Sequence, residues 1–146
     1  MDVVGESTSV EQFCIYMEYG DDFHECLKNA IESKDIKSGA VLSGIGTFSE
    51  ARIHYIQNTE FPPEDKFVEI KGPIELCSVD GIIADYEPHL HCTMSIRGDE
   101  LWAGHLEPGC RVLYLAEVAV VKFSDLTLKR DNDPEFGTPR LIKQKK

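Results

Sequence analysis

Two histidine-bearing segments, Pro88-His89-Leu90-His91-Cys92 and Ala103-Gly104-His105-Leu106, stand on either side of a Gly98-Asp99 turn signal. If Pro88 to Ile96 is a strand, His89 and His91 project from one face and can close on a single ion. Gly98-Asp99 reads as a hairpin turn that folds Leu101 to Leu106 back alongside, which makes His105 the third candidate ligand. The register matters. A strict two-residue loop pairs His105 with Cys92 and aims it at the wrong face. A three-residue loop over Arg97-Gly98-Asp99, or a bulge at Ala103-Gly104, brings it opposite His91. Three imidazoles leave one position open for water, substrate or a carboxylate, as an open zinc site does, although nickel, copper and iron also accept such a set. Any one of these histidines alone reads as an ordinary half-buried side chain; the constellation points to a metal.

The rest of the chain bounds the setting. At 146 residues it reads as one domain, able to bury roughly two thirds of its unfolded surface. The division expected is a flexible N-terminus over residues 1–10, the domain itself over 11–130, and a loop with a basic tail over 131–146. The hydrophobic fraction of 42% and charged fraction of 28% suit a soluble globular protein, and no apolar run approaches a membrane span. The start of the chain is polar and acidic, unlike a signal peptide, so a cytoplasmic location is expected. Cys14, Cys26, Cys77, Cys92 and Cys110 form no Cys-x-x-Cys pair and read as reduced, mostly buried small hydrophobes. A formal net charge of -11 argues against direct nucleic-acid binding. Basic residues gather only at Arg140, Lys143, Lys145 and Lys146, which reads as a solvated tail.

In chain order, Gln12 to Tyr19 reads as a first strand. Asp21 or Asp22 then caps a helix whose stripe is Phe23, Cys26, Leu27, Ala30 and Ile31. His24 falls off that stripe and reads as a solvated surface residue. Ala40 to Ser43 begins a strand interrupted at Gly44-Ile45-Gly46, glycines that mark a bend or a close backbone approach, and Phe48 to Gln57 continues extended with Glu50, Arg52 and His54 on one side. Arg52 and His54 lining a cleft is the weaker alternative to a simple solvated face. Asn58 to Asp65 is the chief loop. Phe67 to Ile70, Ile74 to Val79 and Ile82 to Tyr86 follow as strands, punctuated by Gly72-Pro73 and Asp80-Gly81. Arg111 to Phe123 is near-continuously apolar and therefore central in the sheet, after which Asp125 to Lys129 adds a short strand and Asp131 to Pro139 a loop. Within the long strand Glu117 shares a face with Leu113, Leu115, Ala119, Val121 and Phe123. Its carboxylate must be paired there, as an ion pair or subunit contact, or serve as a fourth metal ligand or a base acting on metal-bound water.

Taken together, Gly44-Ile45-Gly46, Phe67-Val-Glu-Ile-Lys-Gly-Pro-Ile-Glu-Leu, Pro88-His-Leu-His, Gly104-His-Leu-Glu-Pro-Gly-Cys-Arg-Val and Ala116-Glu-Val resemble the plant and prokaryote conserved (PPC) domain family. The resemblance is to the prokaryotic stand-alone type without an AT-hook. It implies an α+β fold, a mostly antiparallel, curved sheet packed against one main helix, assembled as a homotrimer. It also implies a divalent metal, zinc by the donor set, at His89, His91 and His105, with a small molecule as a candidate ligand there. Glu117 fits a family position without a settled role. In plants such domains follow AT-hooks built on Arg-Gly-Arg; this chain has none, and Arg97-Gly98-Asp99 is a turn. Ala103 also stands where a double glycine often precedes the third histidine. The sheet-and-histidine arrangement is similar to that of acetolactate decarboxylase, a zinc enzyme, an analogy of fold that admits a metalloenzyme acting on a small carbonyl or hydroxy-acid substrate. A DNA-associated regulatory role is the third alternative.

Overall fold

Long runs of alternating side chains make this chain mostly sheet. The computed structural model describes residues 3–144. Along these run β1 (Val10–Glu18), α1 (Phe23–Ser33), β2 (Ser38–Ile56), β3 (Asp65–Ala84), β4 (Glu87–Ile96), β5 (Glu100–Leu106), β6 (Arg111–Phe123), β7 (Leu128–Asn132) and β8 (Pro139–Lys143). Strands one to six form one sheet in the order β1-β6-β2-β3-β4-β5, and β5 pairs with β2 as well. All of these pairings are antiparallel. The extra pairing closes β2 to β5 on themselves at one end, while β6 and β1 extend from β2 as an open flap.

The helix forms where its cap and stripe place it. Asp22 is the N-cap, extended at φ -85 and ψ 121, and its carboxylate accepts the Glu25 N–H at 3.1 Å. That satisfies one of the four orphan donors of a first turn. Phe23, Leu27 and Ile31 are fully buried and share one core with Phe48, Leu90, Leu106 and Ala116. Each of the leucine, isoleucine and phenylalanine side chains contributes about 1.5–3 kcal/mol by leaving water. Phe23 meets Phe48 edge-on at 5.6 Å. Beyond Ser33 the chain turns out through Asp35 at φ 52.

Several boundaries differ from those read in the sequence. The Gly44-Ile45-Gly46 interruption is absorbed within one 19-residue strand, whose register shifts on both sides of Gly46. A Cβ at Gly46 would lie 2.6 Å from the Leu115 carbonyl, so the glycines serve the close backbone approach expected of them. Likewise the three strands expected between Phe67 and Tyr86 are one, β3, of 20 residues, carried through Gly72 at φ 128. β7 and β8 form a separate hairpin over the region expected to be loop and tail. It is held by Leu128, which packs with Ala84 and Leu126, and by its N–H on the buried Ser38 Oγ at 2.7 Å. Arg140 and Lys143 belong to β8, whereas Lys145 and Lys146 lie outside the described residues, as do Met1 and Asp2 of the expected N-terminal segment. Ser7 and Thr8 hydrogen-bond the Asp125 carboxylate.

Two expectations about single side chains are corrected. His24 is buried, not solvated, at 8% exposure, because the segment after β5 lies over the start of the helix, with Phe23 N–H donating to the Cys110 carbonyl. Of the five cysteines, only Cys92 and Cys110 are buried, and all five are free thiols. Burial pushes the Cys92 thiol up to about 12 and the Cys110 thiol up to about 11, so neither is a nucleophile at neutral pH. Among the described residues no helix is long and apolar enough to cross a membrane.

Candidate metal centre

β4 alternates strictly, and that alternation creates the site. Leu90, Cys92, Met94 and Ile96 are buried in the core, which leaves His89 and His91 on the opposite face. The turn after β4 decides where the third histidine goes. Ile96 pairs with Glu100 and His91 with His105, so Arg97-Gly98-Asp99 is a three-residue loop and no bulge at Ala103-Gly104 is involved. Arg97 and Gly98 take φ 54 and φ 83, and the Asp99 N–H closes the turn on the Ile96 carbonyl. Glycine serves at Gly104 for another reason: a Cβ there would come within 2.5 Å of the His54 carbonyl.

His89, His91 and His105 come together with their candidate ligand atoms all within 4.8 Å of one another. The Nε2 atoms of His89 and His91 are 3.3 Å apart, and their rings lie within 10° of parallel. His105 stands across both, its ring at 88° to His89 and 84° to His91. Two imidazole nitrogens so close are satisfied by a proton shared between them or by a cation that both face. Two nitrogens at this spacing, each about 2.0–2.1 Å from an ion, subtend about 107° at it, close to the tetrahedral angle of zinc. The donor set therefore fits a divalent ion of that class. Two of them, His89 and His105, are also biased toward the neutral form that a ligand needs. Burial, with Arg130, His91 and His54 nearby, lowers the His89 pKa; burial and then His89 and His54 lower that of His105 to about 4, against the pull of Glu107. Arg130 comes from the β7–β8 hairpin, where its guanidinium donates to the Ile82 and Glu87 carbonyls.

A second group adjoins the first through His105. The β2–β5 pairing sets His54 directly opposite His105, with the two rings stacked at 4.5 Å. His54 Nδ1 is 2.6 Å from Glu107 Oε1, and His105 Nε2 is 4.0 Å from the same oxygen. His54, His105 and Glu107 thus form another set of three potential ligands. Sequence reasoning favoured a solvated strand face for His54, with a cleft beside Arg52 the weaker alternative, and gave Glu107 no role of its own. Glu107 N–H donates to the Arg52 carbonyl at 2.9 Å, which continues the β2–β5 pairing past the strand and carries the carboxylate to His54.

Glu117 is not brought to the histidines within the chain. It sits opposite Tyr16 of β1 and Ile45 of β2, exposed on the outward face of the flap. The burial cost expected for its carboxylate is therefore absent in the single chain. The buried face of β6 is the alternate one, Val112, Ala116, Val118 and Val120. Around Glu117, Cys14, Tyr16, Ser43, Ile45 and Ala119 line a shallow hollow of about 420 Å³.

Similar proteins agree with this fold. The family described as the Plants and Prokaryotes Conserved (PCC) domain matches residues 4–124. A metal-containing protein from Archaeoglobus fulgidus is 26% identical, with 97% of this chain and 99% of that one superposed at a TM-score of 0.82. A plant- and prokaryote-conserved protein from Pyrococcus horikoshii is 23% identical, with 99% of each chain superposed at a TM-score of 0.80. Among curated proteins, bifunctional protein GlmU of a Synechococcus strain is 26% identical over 118 residues, 81% of this chain. The chain spans only 18% of the length of the two GlmU relatives it matches. With the match reaching from before β1 to the end of β6, this chain belongs to the Plants and Prokaryotes Conserved domain family.

Proposed function

We propose that the chain is a metal-binding protein that holds one divalent ion, zinc by preference, on His89, His91 and His105, and that it works as a homotrimer. The 3.3 Å separation of the His89 and His91 Nε2 atoms carries the metal reading, since it is the spacing that two ligands of a tetrahedral ion adopt. The metal-containing relative from Archaeoglobus fulgidus supports it. The trimer reading is supported by the outward face of the flap, where Tyr16 and Ile45 are 60% and 50% exposed, more apolar surface than a lone chain leaves uncovered without reason. In that assembly Glu117 is a subunit contact; a ligand or base role for it requires a neighbouring protomer to carry it to the histidines. With a net charge of -11, the chain is not proposed to bind nucleic acid.

A second reading, a metal-dependent enzyme acting on a small oxygenated substrate, is favoured by one observation. The His54–Glu107 pair at 2.6 Å adjoins a ligand histidine, where a carboxylate and an imidazole can hold or move a proton. The ion would supply Lewis acidity.

Elemental analysis of purified protein beside a His89→Ala/His91→Ala variant, with mass by light scattering on the same samples, tests both parts. About one divalent ion per chain is expected in the wild type and none in the variant. A mass of three chains is expected in both. A wild type that takes up no metal after reconstitution removes the metal reading, and a monomeric wild type removes the trimer.

A further inference from the structure

A hollow of about 460 Å³ opens beside the second histidine group, lined by Arg52, Phe67, Glu69, Glu107 and Pro108 among others. Arg52 lies two residues before His54 on β2, so the two side chains share a face about 6.5–7 Å apart. His54 in turn faces His105. The position of Arg52 is built in: its stem crosses Gly109, where φ is +97 and a Cβ would come within 2.9 Å of Arg52 Cδ. Its guanidinium Nη2 meets Glu69 at 3.0 Å, with both side chains more than half exposed. Such a water-exposed ion pair is weak and readily exchanged. Phe67, 67% exposed, packs its ring 5.1 Å from that of His54 and gives the hollow an apolar wall.

We propose that this hollow is the ligand subsite of the metal centre. It takes a small carboxylic acid with a second oxygen donor, a dicarboxylate or an oxo or hydroxy acid, with one end on the ion and its far carboxylate on Arg52. The inference rests on the metal reading above. A guanidinium fork matches a carboxylate in two parallel hydrogen bonds, a geometry that a monocarboxylate already held by the ion cannot also use. Glu107 repels an anion, so the ligand's far carboxylate turns to Arg52 and displaces Glu69. In a chain with a formal net charge of -11, an anionic ligand needs cations at both of its ends.

The test uses cobalt(II)-loaded full-length protein, its visible absorption followed as acetate, succinate or glutarate is added, with cobalt content measured on the same samples. Succinate or glutarate is expected to bind at least about tenfold tighter than acetate. Arg52→Gln should abolish that gap by weakening succinate and glutarate far more than acetate, and Glu69→Gln should widen it. Equal affinities in the wild type, a gap that survives Arg52→Gln, or no spectral response to any acid would overturn the subsite and leave Arg52–Glu69 a surface ion pair only. Protein that binds no cobalt overturns the metal reading, and the subsite with it; cobalt present without a gap overturns the subsite alone.

Discussion

The two outward faces of the sheet differ in what one chain can finish. On the closed side, β2 to β5 pair around a circuit, and cross-strand neighbours assemble His54, His89, His91, His105 and Glu107 without help from another chain. On the open side, β1, β6 and β2 line up Tyr16, Glu117 and Ile45 in one row and leave them exposed. The inward faces are alike, since both feed one core. What separates the outward faces is closure: a strand that returns to its starting neighbour surrounds its polar groups with partners, whereas a flap presents its outer face to whatever docks on it. The closed side is therefore read as the site of chemistry and the open side as the site of assembly.

If that division holds, charge on the flap should abolish assembly and spare the site. Ile45→Lys/Leu115→Lys is expected to lower the mass by light scattering from three chains of 16.4 kDa to one. The metal content per chain should stay unchanged. Loss of the ion together with the trimer would show instead that the histidines need a neighbour. In the isolated chain the substitutions should cost little, about 0.5 kcal/mol or less each, because both positions are exposed. The converse experiment attacks closure. Gly104→Val places a side chain against the His54 carbonyl, 2.5 Å from where its Cβ must go. Neither backbone can give way without parting β5 from β2. We expect a loss of about 1–3 kcal/mol in denaturant unfolding and less than one ion per chain, with the mass unchanged. Full metal content in Gly104→Val would show that the β2–β5 pairing is incidental to the site.

The same contrast explains what could be read from the sequence. The β4–β5 hairpin was legible because it is local: alternation placed His89 and His91 together and Gly98 marked the turn, while the choice between a three-residue loop and a bulge at Ala103-Gly104 stayed open until the pairing of Ile96 with Glu100 decided it. The β2–β5 pairing joins residues some fifty positions apart and has no local signature, so the stacking of His54 on His105 and the arrival of Glu107 were out of reach. Gly44 and Gly46 read rightly as a bend or close backbone approach, as the 2.6 Å from a Gly46 Cβ to the Leu115 carbonyl shows, whereas Gly72 read as a strand end because glycine marks close approach and termination with the same letter. β6 is apolar on both sides, which hid which of them is buried. Only its neighbours show that Val112, Ala116, Val118 and Val120 face the core and that Glu117 does not. A pattern reports that a strand has two apolar faces; it takes the partner strands to say which face is the core.

The smallest expected effect concerns His24, on the inner side of the closed half. Its Nδ1 is buried with no hydrogen-bond partner among the described residues. Burial lowers its pKa below 6.5, only partly offset by the Asp22 charge, the Leu106 backbone and Glu107. The folded state therefore holds the neutral ring more tightly than the unfolded chain does. Its contribution to stability is complete above about pH 6.5 and falls away as the pH drops from there through the lowered folded value. The slope approaches, at most, about 1.4 kcal/mol per pH unit. His89 and His105 of the metal-free protein act in the same direction, so the wild-type curve alone does not isolate His24. The difference between wild type and His24→Leu does. Leucine removes an orphaned nitrogen whose desolvation costs about 1–3 kcal/mol, so the variant should be no less stable than wild type at pH 7.5 and should gain on it steadily toward pH 5. Parallel urea-unfolding curves across that range would mean that His24 titrates as freely in the fold as outside it. The groove beside it, shared by α1 and His105, would then be open enough to hydrate the ring.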